Sequence, residues 1–264
     1  MKILLLGANG QVGQAFQDLA KTDAFPIGWE LIAFGHKDAD LTKIQELLVK
    51  IDALKPDVIV NAAAYTAVDQ AEVESELCTQ INAAAPKALA AFAKSKRMVL
   101  VHFSSDYVYD GEAPEIHVET ETLAPANQYA RSKALGDQAI VNEQGEYLIF
   151  RTSWVYSITG RNFVKTMLNL GQNKSELKVV NDQVGSPTYA PDLAMYTLQA
   201  LMRALETKSV GLEFPSGVYH VCNSGFTTWA DFAKAILPKV NVVGIPTREY
   251  PTPAKRPHNS KLSL

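Results

Sequence analysis

The chain opens with an apolar run, Lys2–Leu6, that passes directly into "GANGQVG". This constrains the fold more than any other feature. Gly7, Gly10 and Gly13 follow the spacing G-x-x-G-x-x-G and lead into a helical pattern beginning at Gln11. In a strand–loop–helix unit the first glycine permits a tight turn. The second lets backbone approach a pyrophosphate, and the third allows close helix–strand contact. N–H groups at the helix start then face the anion. Glycine triplets also serve as plain turns, so the loop predicts a dinucleotide site only if βαβ units follow it.

They do. Further strand-like runs are Glu30–Phe34, Val58–Val60, Met98–Phe103 and Tyr147–Phe150. Helical patterns lie between them at Gln11–Lys21, Thr42–Leu54, Val73–Lys96 (with a break expected near Pro86) and Gln128–Asn142. Asp40 is placed to cap the second helix and Lys55-Pro56 to stop it. Runs such as "VIV" and "LIF" lack polar alternation, as strands covered on both faces do. The expected fold is α/β: a Rossmann-type doubly wound parallel sheet in residues 1–151. Prolines cluster after Arg151, among shorter helices at Pro191–Leu205 and Thr228–Ile236. Residues 152–264 are therefore expected to form a smaller C-terminal substrate-binding lobe, partly interleaved with the sheet.

Composition narrows the classes. A net charge near −3 and no Lys/Arg block argue against a nucleic-acid surface. Cys78 and Cys222 have neither metal nor redox-motif spacing, which suits a reduced, cytoplasmic setting. The N-terminal apolar run is too short for a signal peptide, and no stretch approaches a membrane span.

After the second strand stands Gly35-His36-Lys37, where NAD sites usually carry an acidic residue. His36 or Lys37 could pair with a 2′-phosphate, so NADPH is the expected cofactor, with NADH as the alternative. A solvated turn is the plain reading of the same residues. The third and fourth strands run out into "NAAAYTAVD" and "HFSSDYVYDG". Ligands in an open parallel sheet bind outside the carboxyl ends of its strands. Asn61–Ala64 would offer a small-residue floor for a nicotinamide riboside. Tyr129 and Lys133, four positions apart on the next helix, would share one face. Chance alone supplies about one such pair in a chain of this composition, so its placement is what matters. Ser105 is preferred over its neighbour Ser104 as the hydroxyl in the crevice, since a strand points only one of them inward. His102 and His220 read as core residues.

Together the glycine loop, N-A-A-A, the serine ending the fourth strand and Y-x-x-x-K resemble the extended short-chain dehydrogenase/reductases. Within them the dTDP-4-dehydrorhamnose reductases are most similar. The stretches that carry this span most of the chain: "KPDVIVNAAAYTAVDQAE", "SSDYVYDG", "FRTSWVYS", "NFVKTML", "NDQVGSPT" and "YPTPAKRPHNSKL". The resemblance implies NADPH-dependent reduction of the C4 ketone of dTDP-4-dehydro-6-deoxy-L-mannose to dTDP-L-rhamnose, a step in cell-surface polysaccharide biosynthesis. It implies Ser105, Tyr129 and Lys133 as catalytic residues. Tyr129 would protonate the forming alkoxide and Ser105 would bond the C4 oxygen. Lys133 would hold the nicotinamide ribose and lower the Tyr129 pKa.

Cofactor contacts would come from Gly7, Asn9, Gly10, Gln11, Val12, Gly13, His36, Lys37, Asp40, Leu41, Ala62, Ala63, Ala64, Tyr129 and Lys133. Substrate contacts would be Thr66, Val68, Ser105, Asp106, Trp154, Asn162 and Arg256, the last suiting a diphosphate through its guanidinium fork. Asp106 has turn capping as its alternative role, and Trp154 has inter-lobe packing. The family's magnesium at a homodimer interface is held by glutamates, one just after the glycine loop. Ala15 stands there, so no such metal site is expected, although a homodimer stays compatible. Relatives usually continue for another helix after the "NSKL" element, which implies a shortened lobe here. A non-catalytic NADP-binding subunit, like the methionine adenosyltransferase β-subunit, and a nucleotide-sugar epimerase or dehydratase are the rival readings.

Overall fold

A computed structural model describes residues 1–264. Its centre is a six-stranded, all-parallel sheet with the spatial order β2-β1-β3-β4-β5-β10. The strands are β1 (Lys2–Leu6), β2 (Glu30–Phe34), β3 (Val58–Asn61), β4 (Val99–Ser105), β5 (Glu146–Thr152) and β10 (Gly217–His220). Strand order reverses between β1 and β3, and that reversal opens a crevice at the carboxyl ends.

Alternate residues on each strand face opposite layers. Ile3, Leu5, Val58, Val60, Val99, Val101, Leu148 and Phe150 form one core with α1 (Gln11–Leu19) and α8 (Ala190–Ser209). Leu4, Leu6, Ile59, Leu100 and Ile149 form the other, beneath α2 (Ile44–Leu54), α5 (Ala85–Lys96) and α6 (Gln128–Glu143). This is the double coverage that the unalternated runs implied. α2 ends where expected, with Lys55 in a left-handed conformation at φ 49° before Pro56.

The helix expected at Val73–Lys96 is instead broken into pieces. α3 (Val68–Ala71) and α4 (Ser75–Thr79) lead to a π turn at Gln80–Ala84, and only then does α5 begin. Pro86 makes no break, because it lies in the first turn of α5, where no N–H donor is needed. The interruption comes earlier. Asn82, buried in the π turn, spends its side chain on both backbone groups of Tyr65 and on Ser132 Oγ.

After β5 the chain forms β6 (Val155–Tyr156), α7 (Phe163–Gly171), β7 (Glu176–Val180), β8 (Val184–Gly185) and β9 (Thr188–Tyr189). α8 then returns to pack on α1, and β10 adds itself beside β5. The remaining elements are β11 (Thr227–Thr228), α9 (Trp229–Ile236), β12 (Asn241–Ile245) and β13 (Asn259–Ser260). A second small core joins α7 and α9 to the parallel pair β7–β12 through Met167, Leu177, Val179, Ala233 and Val242. No helix is long and apolar enough to cross a membrane.

Candidate active site

The glycine loop has the geometry its spacing predicts. Gly7 lies at φ 89°, and a Cβ there would come 2.6 Å from the Ala63 nitrogen. A Cβ on Gly13 would meet the Gly7 carbonyl oxygen at 2.1 Å. The loop is thus pressed against both α1 and the Ala62–Ala64 floor. Gly10, the N-cap of α1, supplies no side-chain hydrogen bond to the first turn. The first-turn N–H groups, Gln11 to Gly13, therefore remain available for an anion. These residues fit a dinucleotide diphosphate.

At the end of β2, His36, Lys37, Asp38, Asp40, Lys43, Glu46 and Lys50 surround a cavity of about 280 Å³. Asn9 Oδ1 accepts from the His36 N–H at 3.3 Å, tying the glycine loop to this turn. Asp40 caps Leu41–Lys43 through the Thr42 N–H, as expected for a cap, although the capped segment is a 3-10 turn that precedes α2.

Asn127 caps α6 by accepting from the Ala130 N–H, so Tyr129 and Lys133 fall in the first two helical turns. Gly136 lets α6 sit close to the π turn, since a Cβ there would be 2.2 Å from Asn82 O. The two serines at the end of β4 part company. Ser104 Oγ donates to Asp137 Oδ2 at 2.9 Å, away from the crevice. Ser105 Oγ donates to Asp106 Oδ1 at 2.9 Å and accepts from the Tyr107 N–H. Burial pushes the Tyr129 phenol well above its ordinary pKa, and hydrogen bonding to Ser105 is the opposing influence. Tyr107 packs edge-on against the Tyr129 ring with centroids 5.7 Å apart.

Lys133 departs from expectation. Its nitrogen turns into the protein, and the Tyr129 pKa is raised rather than lowered. The reason is burial. Lys133 is only 2% exposed, so its nitrogen must find partners along its own path. It donates to the Phe103 carbonyl and lies 3.2 Å from His102 Nε2. Burial draws its pKa down to about 8, against the opposing pull of Asp137 and Cys78. His102 is a core residue, as expected, but one in direct contact with Lys133. No local signal marked it. Asn61 and His102 are neighbours only through the β3–β4 register.

Asp106 is 3% exposed, and burial raises its carboxyl to about 6, opposed by the nearby hydroxyls of Ser260 and Ser105, of which Ser105 donates to it. Its Oδ2 has no partner. Behind it, Arg151 joins Asp137 at 3.0 Å and Tyr109 Oη at 2.7 Å in a buried network that sequence reasoning missed.

The expected substrate residues scatter more widely. Arg256 pairs with Asp69 Oδ2 at 2.6 Å, close to Val68 and to the exposed Thr66. Its charge opposes the burial that raises the Tyr107 phenol, and Tyr107 packs on Tyr129, so this cation stands beside the crevice. Trp154 stacks on Trp229 with ring centroids 3.5 Å apart, and Gly185 lies under its edge. One face of the Trp154 ring is thus covered by packing. Asn162 caps α7 and gives its amide N–H groups to Gln11 Oε1 and the Ser157 carbonyl, so its side chain is spent within the protein. Ala15 is buried in the core of α1.

Comparison with known proteins agrees with this geometry. Residues 1–264 match the family model described as RmlD substrate binding domain. The dTDP-4-dehydrorhamnose reductase of Burkholderia thailandensis is 42% identical over 275 aligned positions, covering 100% of this chain and 90% of that protein. The crystal structure of a dTDP-4-dehydrorhamnose reductase from Clostridium acetobutylicum superposes with a TM-score of 0.90 at 39% identity, covering 100% of this chain and 90% of the other. Its counterpart from Bacillus anthracis, solved in complex with NADP, superposes with a TM-score of 0.90 at 37% identity, with 99% and 90% covered. With its glycine loop, its Ser105–Tyr129 pair and a match running from end to end, the chain belongs to the RmlD substrate-binding-domain family, among the dTDP-4-dehydrorhamnose reductases.

Proposed function

We propose that this chain reduces the C4 ketone of dTDP-4-dehydro-6-deoxy-L-mannose to give dTDP-L-rhamnose, with NADPH as the electron donor. The observation that carries the reading is the placement of Ser105, at the carboxyl end of β4, beside Tyr129: the Tyr107 N–H donates to Ser105 Oγ while the Tyr107 ring packs on that of Tyr129, and the glycine loop meets Ala62–Ala64 at the same end of the sheet. When bound, NADPH supplies the hydride. Gly7 to Gly13 would hold its diphosphate, and His36 and Lys37 would face the 2′-phosphate, the lysine through a charge-assisted bond. The alanine floor seats the nicotinamide end. Residues 1–151 carry these roles, and residues 152–264 mainly carry the sugar nucleotide.

Chemistry then falls to the chain's own groups. Ser105 bonds the C4 oxygen and polarises it. Tyr129 gives that oxygen its proton. A phenol held above its ordinary pKa keeps its proton until the oxygen becomes basic, so the donor stays loaded through substrate binding. Arg256, with Asp69 fixing its angle, meets the diphosphate of the sugar nucleotide.

The test is to mix purified protein with NADPH and a panel of dTDP-4-ketosugars and follow loss of the reduced cofactor's near-ultraviolet absorbance. Turnover with the rhamnose precursor supports the reading. NADPH binding without turnover of any sugar would favour a regulatory subunit instead.

A further inference from the structure

The hydrogen-bond donors around Lys133 can be counted. The Ala63 N–H donates to Asn61 Oδ1 at 3.3 Å. That turns the Asn61 amide nitrogen toward His102 Nδ1, 3.1 Å away. An amide nitrogen only donates, so Nδ1 accepts and carries no proton. Burial, and then the charge of Lys133, hold His102 well below its ordinary pKa, so the ring is neutral and has a single N–H. That proton is left for Nε2, which faces Lys133 Nζ at 3.2 Å. An ammonium has three donors and no acceptor, so it would meet Nε2–H donor against donor. An amine has the lone pair that this geometry requires.

We propose that His102, held in its Nε2–H tautomer by Asn61, is a positioning residue for Lys133: it donates to the lysine nitrogen, fixes the side chain beside the Phe103 carbonyl and favours amine over ammonium. The inference rests on the reductase reading and deepens it. Burial acts in the same direction, bringing Lys133 to about 8. The other groups facing it are Asp137, one turn further along α6, and the Cys78 thiol from α4, both of which favour the ammonium. Asp137 is itself engaged by Arg151 from β5, which weakens its pull. Tyr129 stands on the same helix, one turn before Lys133, and Asp106 is buried in the turn after β4.

Two readouts test this. In the free, full-length protein, long-range nitrogen NMR on labelled histidine reports the tautomer. His102 is expected to carry its proton on Nε2 from about pH 6 to pH 9, and a proton on Nδ1 overturns the proposal. The second uses His102→Gln, whose amide can turn its oxygen toward Lys133. The Lys133 side-chain titration, followed by carbon NMR without substrate, should move up by about one pH unit, a tenfold gain in proton affinity. The high-pH limb of kcat/KM should move with it. A midpoint that is unchanged or lower overturns the proposal. A merely structural histidine would lower kcat/KM by the same factor at every pH and leave the titration alone. Should His102→Gln fail to fold, the tautomer of the wild-type ring decides by itself. If no dTDP-4-ketosugar is reduced, the reductase reading falls, while the tautomer and the titration still judge His102.

Discussion

Alanine at Gly13 and alanine at Gly10 should fail in different ways, because one glycine serves the fold and the other serves the ligand. A methyl on Gly13 would sit 2.1 Å from Gly7 O, 2.8 Å from Gly7 C and 2.9 Å from Ala8 Cα. All three are backbone atoms of the loop itself, so no side chain can swing away. The β1–α1 turn has to open by about 1 Å, and overpacking of that kind costs about 1–3 kcal/mol. For a chain of this size that lowers Tm by about 2–12 °C. At Gly10 the nearest atom to an added Cβ is Gly7 O at 3.4 Å, an ordinary contact. Gly10→Ala should therefore stay within about 1 kcal/mol of wild type, the loss being that of a poorer N-cap. Its methyl would stand where backbone must approach the diphosphate. NADPH affinity should fall at least tenfold, about 1.4 kcal/mol. Thermal melts and titration with NADPH separate the two effects. A Gly13→Ala protein that melts with wild type, or a Gly10→Ala protein that binds NADPH as wild type does, refutes the reasoning.

Other perturbations follow from the same site. Tyr129→Phe should lower kcat by about 10²–10⁴-fold while NADPH affinity is unchanged, which steady-state kinetics and titration check together. Arg151→Met strands the Asp137 carboxylate, 2% exposed at its side chain, and should cost about 3–5 kcal/mol in urea unfolding. Adding Asp137→Leu should restore most of that loss. Asp106 has a folded pKa of about 6 against about 3.9 unfolded. Its protonated form thus contributes stability that is complete below about pH 4 and disappears by about pH 6. The two-unit gap is about 3 kcal/mol, and Asp106→Asn should remove that slope from the stability–pH curve.

Local signals carried the sequence reading a long way. α6 was legible almost to its ends because Asn127 caps it and Gln144 closes it in a left-handed conformation. β1, the glycine loop and the β2 turn were legible because their spacing has a geometric meaning. Pairings set by distant register were not. β10 is four residues long, and nothing in "GVYH" says that it joins β5 after an intervening lobe. Asp69 and Arg256 meet across 187 positions. The direction of Lys133 was misread for a physical reason. Sharing a helix face with Tyr129 settles where its Cβ lies, whereas burial, the Phe103 carbonyl and the His102 ring settle where its nitrogen goes. The π turn was hidden in the same way, since Asn82 bonds to Tyr65 and Ser132 only once three segments are packed together.

The central claim is that the crevice above β4 delivers hydride to one carbon of a sugar and Tyr129 protonates the oxygen on that carbon. Turnover of dTDP-4-dehydro-6-deoxy-L-mannose with NADPH deuterated at the transferable C4 position tests it most directly. The account predicts dTDP-L-rhamnose carrying one deuterium, at sugar C4, formed in step with NADPH consumption and suppressed in Tyr129→Phe. Product without label at C4, or full turnover by Tyr129→Phe, would contradict it.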